Sequence, residues 1–384
     1  MRGARLLTIS HSYVVGLNRR LADEMASAGD WEVVAAAPKT YAGDLGRIVL
    51  ERGAGERCSI VPVGVRRSRW PHVMSYGPEL RRLLDDDWDV VHCWEEPYVL
   101  AAAQVARWAR PSVRLVFATF QNIPKRYPPP LRWFERTAMR RADGWIAFGH
   151  TAEGALGSRP GYAERPHRVI PPGVDPSLFK PDDEARLRTR AALGWAGDDA
   201  PVIGFLGRFV PEKGPRVLTA ALDGVRRPWR ALFVGGGPLE SELRAWARRH
   251  GDRVRIATDV THDDVPAHLN AMDLLCAPSQ TTPRWREQFG RMLVEAFACG
   301  VPVVASSSGE IPHVVGDAGV LLPEADAAAW SSTIASLLED EGRRSRLAHR
   351  GRARAERFAW PRVAAEHLAF FEELRVSHMA GRRA

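Results

Sequence analysis

The sequence predicts an α/β protein with two Rossmann-like, doubly wound parallel-sheet domains facing a central cleft. Three observations support this prediction. The 384 residues suit two domains of ordinary size better than one. Short β-type apolar runs alternate with helical patterns throughout, which is typical of parallel sheets covered on both faces. A proline-rich break near the middle separates two copies of this alternation.

Apolar runs of strand length recur along both halves of the chain. In the first half they are residues 5–9, 32–37, 89–93, 113–119, 144–148 and 167–170. In the second half they are residues 202–207, 230–234, 254–257, 274–277, 301–305 and 319–322. Ligands of such sheets bind beyond the carboxyl ends of the strands, so we expect functional residues in the turns that follow them.

The break between the halves is Pro171-Pro172-Gly173. Proline fixes φ and lacks an N–H donor, so neither a strand nor a helix continues through this segment. We therefore predict a first domain over residues 1–172 and a second over 173–358. We expect the remaining residues, 359–384, to form a helix that crosses back to the first domain.

The composition favours a cytoplasmic protein. No apolar run approaches the roughly 18 residues that span a bilayer, and the apolar stretch near the N-terminus is too short for a signal peptide. The four cysteines have no C-x-x-C spacing, which predicts reduced thiols rather than a disulfide framework or a zinc site.

The net charge of +8 lies mostly in the first half of the chain. This bias suits an anionic substrate, a nucleic acid or the anionic inner face of a membrane, with an ordinary solvated surface as the alternative. Trp70, beside Arg66, Arg67 and Arg69, is a candidate interfacial anchor, and a plain exposed loop is again the alternative.

Two turns in the second half have the composition of a phosphate-binding site. In residues 204–214, Arg208 and Lys213 flank a turn between a strand and a helix. Two cations beside a helix N-terminus suit a diphosphate. Gly236 lies in a three-glycine turn after another strand, where the backbone can approach a ligand closely.

The sharpest motif is a pair of glutamates around a helix start. Glu287 precedes the helix, Gly290 begins it, and Glu295 lies about a turn and a half inside it. The amides at the helix start can hold a phosphate, and Glu295 can accept hydrogen bonds from a vicinal diol such as a ribose. Glu287 can reach a different part of the same ligand.

These segments resemble the retaining family-4 glycosyltransferases of the GT-B fold, most strongly over residues 165–325. Val-Ile-Pro-Pro-Gly-Val-Asp at 169–175 and Gly-Glu-Ile-Pro at 309–312 are also similar to segments of that family. The resemblance implies an acceptor-binding first domain and a second domain that binds a nucleotide-diphosphate sugar. It also implies roles for individual donor-site residues.

By this resemblance, Arg208 and Lys213 bind the donor diphosphate, Glu295 holds the ribose and Glu287 contacts the transferred sugar. Arg208, Lys213 and Glu287 are the expected catalytic residues. Further donor contacts are expected from Gly236 and from the backbone amides of Phe289, Gly290 and Arg291.

The first domain offers three further candidates. Gly16 lies where the family brings a glycine-rich loop to the diphosphate, although many members have two glycines there. His11 ends the first strand, and Gln121 stands where many members have a histidine near the reacting sugar. Both are candidate acceptor or sugar contacts, and glutamine cannot act as a base. His92 ends a buried-looking strand and is expected to be a satisfied core histidine.

We therefore expect a retaining, metal-independent hexosyltransferase that needs no cofactor beyond its nucleotide-sugar co-substrate. Its acceptor would be a hydroxyl of a glycolipid, a polysaccharide or a small glycoside, lipid-linked or free. Asp85, Asp86 and Asp87 match the letters of a metal-binding motif, but their position predicts a solvated turn. The alternatives are a sugar-nucleotide epimerase and, less favoured, a basic nucleic-acid-binding protein. The sugar, base, acceptor and oligomeric state stay open.

Overall fold

One parallel β-sheet organises each of two structural units. The computed structural model describes residues 3–43, 46–53 and 55–381. Unit 1 comprises Met1–Gly173 together with Trp360–Ala384, and unit 2 comprises Val174–Ala359. The predicted α/β class with two Rossmann-like parallel sheets is confirmed.

The sheet of unit 1 is built around strands that are buried on both faces. The strands of unit 1, including those of two separate hairpins, are β1 (Ala4–Ile9), β2 (Trp31–Pro38), β3 (Thr40–Gly43), β4 (Gly46–Val49), β5 (Ser59–Val63), β6 (Val65–Arg66), β7 (Ser75–Tyr76), β8 (Val90–Cys93), β9 (Arg114–Thr119), β10 (Gly144–Ala147) and β11 (His167–Val169). Among the described residues the main sheet has the parallel order β11-β10-β9-β8-β1-β2-β5. Strands buried on both faces have near-continuous apolar runs, which made the central ones readable from sequence.

The sequence analysis missed β5 and two short hairpins, β3–β4 and β6–β7. β5 is an edge strand that contains Pro62, which donates no ladder hydrogen bond. The hairpin strands have two to four residues. Segments of that length are too short to show a period-2 pattern.

Helices cover the sheet of unit 1. They are α1 (Arg20–Ser27), α2 (Pro78–Leu84), α3 (Leu100–Trp108), α4 (Leu131–Arg141) and α5 (His150–Leu156). The order of the strands reverses direction between β1 and β8, which are neighbours in the sheet. Ligands of open α/β sheets bind at such a switch point, beyond the carboxyl ends of the strands.

Unit 2 repeats this plan with a contiguous stretch of chain. Its strands are β12 (Val202–Leu206), β13 (Arg230–Val234), β14 (Val254–Ala257), β15 (Leu274–Ala277), β16 (Val303–Ser306) and β17 (Val320–Leu322). Its helices are α6 (Asp183–Ala192), α7 (Pro215–Gly224), α8 (Glu240–His250), α9 (Val265–Asn270), α10 (Arg291–Ala298), α11 (Ile311–Val315), α12 (Ala327–Glu339) and α13 (Glu341–Ala355). The described strands have the parallel order β14-β13-β12-β15-β16-β17, so the switch point lies between β12 and β15.

The last helix, α14 (Trp360–Gly381), belongs to unit 1. Its side chains Val363, Leu368 and Phe371 share a core with Leu6 of β1 and Leu21 of α1. None of the described helices, this one included, is long and apolar enough to cross a bilayer.

Two buried histidines face each other where α14 packs on the sheet. The rings of His92 on β8 and His367 on α14 have centroids 5.6 Å apart, and both residues are fully buried. His367 Nδ1 donates to the carbonyl of Val363 at 2.8 Å. The Nε2 atoms of both rings have no hydrogen-bond partner in the described part of the chain. His92 is therefore a core histidine, as the sequence indicated, but its ring is only half satisfied.

Burial lowers the pKa of both imidazoles, that of His367 to about 4 and that of His92 well below its usual range. Between pH 6.5 and about 4 the unfolded chain therefore takes up protons that folded unit 1 does not. The stability that these neutral rings contribute is present above pH 6.5. This stability is lost as the pH falls below that value, and each histidine accounts for up to about 1.4 kcal/mol for each pH unit.

The measurement is the urea unfolding midpoint between pH 7.5 and 4.5. We expect the midpoint of His367→Leu to fall much less as the pH is lowered, because one of the two titrating groups has been removed. His349→Gln, an exposed histidine of α13, is the matched control and should leave the profile unchanged. An equal slope in His367→Leu and the parent protein would show that the pair does not govern acid stability.

Candidate active site

The best-defined site in unit 2 lies at its switch point. The turn after β12 carries Arg208 and Lys213, and the turn after β15 carries Ser279. The segment from Ser279 to α10 then brings Glu287 back to the same place. Neighbouring parallel strands end at the same edge of the sheet, so these turns meet although they are far apart in sequence.

Lys213, Glu287 and Ser279 form one hydrogen-bonded group. Lys213 Nζ lies 2.6 Å from Glu287 Oε2, and Ser279 Oγ donates to the same oxygen at 2.9 Å. Both charged side chains are largely removed from solvent, and Lys213 Nζ also lies 5.2 Å from the centre of the Trp285 ring. Because an ammonium has three N–H donors, this pairing leaves Lys213 able to donate to further oxygens.

Close backbone contacts hold this group in place. A Cβ on Gly214, which has φ +69°, would overlap the carbonyl oxygen of Pro278. A Cβ on Gly309, with φ +53°, would overlap the carbonyl oxygen of Glu287. The amide of Glu310 donates to that same Glu287 oxygen at 3.0 Å. Only glycine permits both approaches, so these two positions set where Lys213 and Glu287 lie.

Glu295 lies on α10 and is buried beside the apolar core of unit 2. Burial raises the pKa of its carboxyl to about 7, and the charge of Arg291 opposes this shift only in part. A buried carboxylate of this kind is a costly group to keep without a ligand. The cost is offset when a ligand supplies hydroxyl donors.

The remaining donor-site candidates of unit 2 have more varied surroundings. Arg208 and Arg291 are exposed. Gly236 is exposed, and its carbonyl accepts a hydrogen bond from the amide of Phe209 at 2.8 Å, next to Arg208. Phe289 is buried, with its ring 5.6 Å from that of Phe358, so its side chain belongs to the core and only its backbone can serve a ligand.

A second polar group lies at the switch point of unit 1. His11 follows β1, and Glu95 follows β8. The Glu95 carboxylate is buried and accepts from the amide of His11 at 2.6 Å, from His11 Nδ1 at 2.7 Å and from the hydroxyl of Tyr76 at 2.6 Å. The His11 ring is partly exposed and stacks on Tyr41 at 5.0 Å between centroids.

This group favours the charged form of His11. Burial alone would lower the pKa of its imidazole, but the charge and hydrogen bond of Glu95 outweigh burial and raise it. Because Nδ1 points to Glu95, the other ring nitrogen, Nε2, is the one that can serve a ligand.

The two other unit 1 candidates have different surroundings. Gln121 is buried, and its Nε2 has no hydrogen-bond partner in the described part of the chain. The amide of Gly16 donates to a carboxylate oxygen of Glu51 at 2.7 Å. A diphosphate at Gly16 would therefore have to displace Glu51. His11, Gly16 and Gln121 belong to unit 1, whereas the other candidates belong to unit 2.

Sequence reasoning missed Ser279, Glu95 and Tyr76. Ser279 and Glu95 each come two residues after a buried strand, and that position alone was a usable signal. Tyr76 gave no such signal, because β7 has only two residues. Within residues 3–43, 46–53 and 55–381, no group of three or more His, Cys, Asp or Glu side chains is arranged to hold a metal ion.

Two family profiles match the chain, one in each half. The family described as Glycosyltransferase Family 4 matches residues 17–178. The family described as Glycosyl transferases group 1 matches residues 189–354.

Curated relatives are similar over about half of the chain. A D-inositol 3-phosphate glycosyltransferase of Xylanimonas cellulosilytica is 38% identical over 217 residues, which are 53% of this chain and 51% of the relative. A GDP-mannose-dependent alpha-(1-6)-phosphatidylinositol monomannoside mannosyltransferase of Mycolicibacterium smegmatis is 37% identical over 192 residues, or 48% of this chain and 50% of the relative. The chain thus spans about half the length of the curated relatives it matches.

Solved structures share the fold over nearly the whole chain. Anabaena HepE, solved with UDP and glucose, has a TM-score of 0.73 at 21% identity and covers 96% of this chain and 100% of its own. The sucrose-phosphate synthase of Thermosynechococcus elongatus has a TM-score of 0.74 at 21% identity, over 97% and 100% of the two chains.

We expect Glu95→Gln to lower the pKa of His11, because burial then acts without the opposing carboxylate. The measurement is an NMR titration of the His11 ring proton, assigned with His11→Gln. Glu79→Gln, a partly exposed carboxyl of α2, is the control and should leave this pKa unchanged. An unshifted His11 in Glu95→Gln would show that the carboxylate does not hold the charge.

Proposed function

Because this chain belongs to glycosyltransferase family 4, with the GT-B fold, we propose that it transfers a sugar from a nucleotide-diphosphate sugar to a hydroxyl acceptor. The observation that carries the proposal is the group at the switch point of unit 2. There a lysine, a buried glutamate and the start of α10 converge, and Glu295 lies one to two turns further on. This arrangement offers cations to a diphosphate and carboxylates to the hydroxyls of two sugars.

The donor is bound by three kinds of contact. Arg208, Lys213 and the amides at the start of α10 hold the diphosphate, with Gly236 as a further backbone contact. The carboxylate of Glu295 accepts hydrogen bonds from the ribose diol. Glu287, held by Lys213 and Ser279, accepts from hydroxyls of the transferred sugar. Phe289 and Arg291 contribute through their backbone amides.

We further propose that the sugar keeps its anomeric configuration and that no metal ion takes part. In this mechanism the bond between the anomeric carbon and the phosphate oxygen breaks while the acceptor oxygen bonds to the same face. The acceptor proton passes to the leaving phosphate. Lys213 and Arg208 stabilise the negative charge that develops on the diphosphate, which is the role a cation serves in such a reaction. Gln121 has no basic group, which fits a mechanism without a base at that position.

The acceptor belongs to unit 1. His11, whose charged form is favoured by Glu95, suits a polyol hydroxyl that lies close to an anionic phosphate. The two curated relatives named above are described as acting on inositol 3-phosphate and on a phosphatidylinositol mannoside. We propose an acceptor of that chemical class, a hydroxyl near a phosphate.

We expect one of UDP, GDP, ADP and dTDP to raise the thermal unfolding temperature of the donor unit. A ligand at about 100 times its dissociation constant adds roughly 2.7 kcal/mol to the free energy of unfolding. Glu295→Ala should lose the shift because the ribose loses its acceptor. Glu184→Ala, an exposed glutamate of α6, should keep it. If none of the four nucleotides shifts the unfolding temperature, the proposed donor site is wrong.

The affinity for that nucleotide should also rise with pH through about 7, because the diol binds the ionised form of Glu295 better. The measurement is a calorimetric titration between pH 6 and pH 8.5, with Glu295→Gln as the comparison. A pH dependence that is the same in Glu295→Gln would assign it to the nucleotide phosphates instead.

Lys213→Ala should lower kcat by about 10²–10³-fold, the usual effect of removing one group that stabilises transition-state charge. Arg216→Ala is the matched control, since Arg216 lies three residues later at the start of α7, is exposed and pairs with Glu242. EDTA should leave the rate of sugar transfer unchanged. NMR of the product should show a retained anomeric configuration, both for the parent protein and for Gln121→His. Loss of activity with EDTA, or an inverted product, would contradict the mechanism. Conversion of the nucleotide sugar without acceptor would indicate an epimerase.

A further inference from the structure

Unit 1 exposes two tryptophans within arginine-rich segments. Trp70 is 64% exposed and Trp133 is 60% exposed, which is unusual for the largest apolar side chain. Each lies among exposed arginines of its own segment. We call the following side chains the basic aromatic face: Arg67, Arg69, Trp70, Arg132, Trp133 and Arg136.

A stack of rings joins the two segments. His72, two residues after Trp70, lies 5.9 Å from Tyr98 between ring centroids. Tyr98 stacks in turn on Tyr127, at 4.3 Å, just before α4. The tip of the β6–β7 hairpin and the segment before α4 therefore both pack against Tyr98.

The exposed charged side chains of these two segments are all positive. Residues 65–74 and 120–134 contain no Asp or Glu, and the second segment adds Lys125 and Arg126, both exposed. The glutamate within α4, Glu135, is buried and pairs with Arg159. Across the described part of the chain, none of the arginines of the face forms an ion pair within 4.0 Å. Such a field attracts an anionic surface.

We propose that the basic aromatic face binds an anionic membrane surface. Indole rings favour the boundary between lipid headgroups and acyl chains, and arginines pair with lipid phosphates. Exposed prolines flank both tryptophans, at Pro71 and in the run 128–130, and their rings need no hydrogen bonds in that environment. A nucleic acid is less suited to this face. The Gln121 and Asn122 side chains, the types that read base edges, are buried rather than presented there.

The face also lies beside the acceptor-side group of unit 1. The β6–β7 hairpin that carries Arg67, Arg69 and Trp70 at its tip carries Tyr76 at its base, and Tyr76 donates to Glu95. A membrane bound to the tip would thus present a lipid-linked acceptor close to His11. This last step rests on the proposed function, whereas membrane binding itself does not.

The test is flotation of the full chain with vesicles, without any substrate. The vesicles contain phosphatidylcholine alone or with about one third phosphatidylglycerol, in 50, 150 and 500 mM salt. We expect binding to the anionic vesicles at least tenfold above that to phosphatidylcholine, weakening as salt rises. Each of Arg69→Gln and Arg132→Gln should lower the partition coefficient about fivefold. Trp70→Ser combined with Trp133→Ser should lower it tenfold or more.

The controls match each kind of change on unit 2. Leu187→Ser removes an apolar side chain that is 69% exposed, and Arg346→Gln removes an exposed arginine. Both should bind vesicles like the parent protein. Equal binding of parent and face variants, or no preference for anionic lipid, would overturn the proposal. The proposal would also be overturned if the protein bound DNA through this face with a steeper salt dependence than it binds vesicles. Nucleotide-induced thermal shifts, measured on the same variants, report separately on the donor site.

Discussion

The donor-side site depends on backbone segments that approach each other more closely than side chains allow. Gly214 lies against the carbonyl of Pro278, and Gly309 lies against the carbonyl of Glu287. These contacts tie the turn after β12 to the turn after β15, and the segment before α11 to the glutamate. The ion pair between Lys213 and Glu287 is a consequence of this framework. A side chain at either glycine would separate the charged groups before it altered any of them.

Both units use the same electrostatic arrangement at their switch points. In unit 2 a buried carboxylate, Glu287, holds Lys213. In unit 1 a buried carboxylate, Glu95, holds His11. In each pair the carboxylate is the more buried partner, so the cation is the one presented to a ligand. A carboxylate at this depth is satisfied by several donors at once, which fixes the cation in one position rather than leaving it to rotate freely.

The sequence was informative where a pattern is long or chemically unusual. Strands buried on both faces, such as β8 and β9, could be located because their apolar runs are continuous. The spacing of Glu287 and Glu295 around a helix start could also be recognised in the sequence. The hydrogen-bond partners of Glu287 and His11 could not, because Ser279 and Glu95 are recognisable only once the neighbouring strands are known. The β6–β7 hairpin, which carries both Tyr76 and Trp70, could not be predicted either. Its strands have only two residues each, which is too short to show an alternating pattern.

The path of the chain has a consequence for how the protein is made. Unit 2 is one uninterrupted stretch, Val174–Ala359, whereas unit 1 needs α14 to complete its core. During synthesis the apolar surface around Leu6 and Leu21 therefore stays uncovered until residues 360–381 have left the ribosome. Unit 2 can complete its fold first, although its residues are translated later than most of unit 1. The exposed surface of the waiting unit is the one that a chaperone would recognise in the nascent chain.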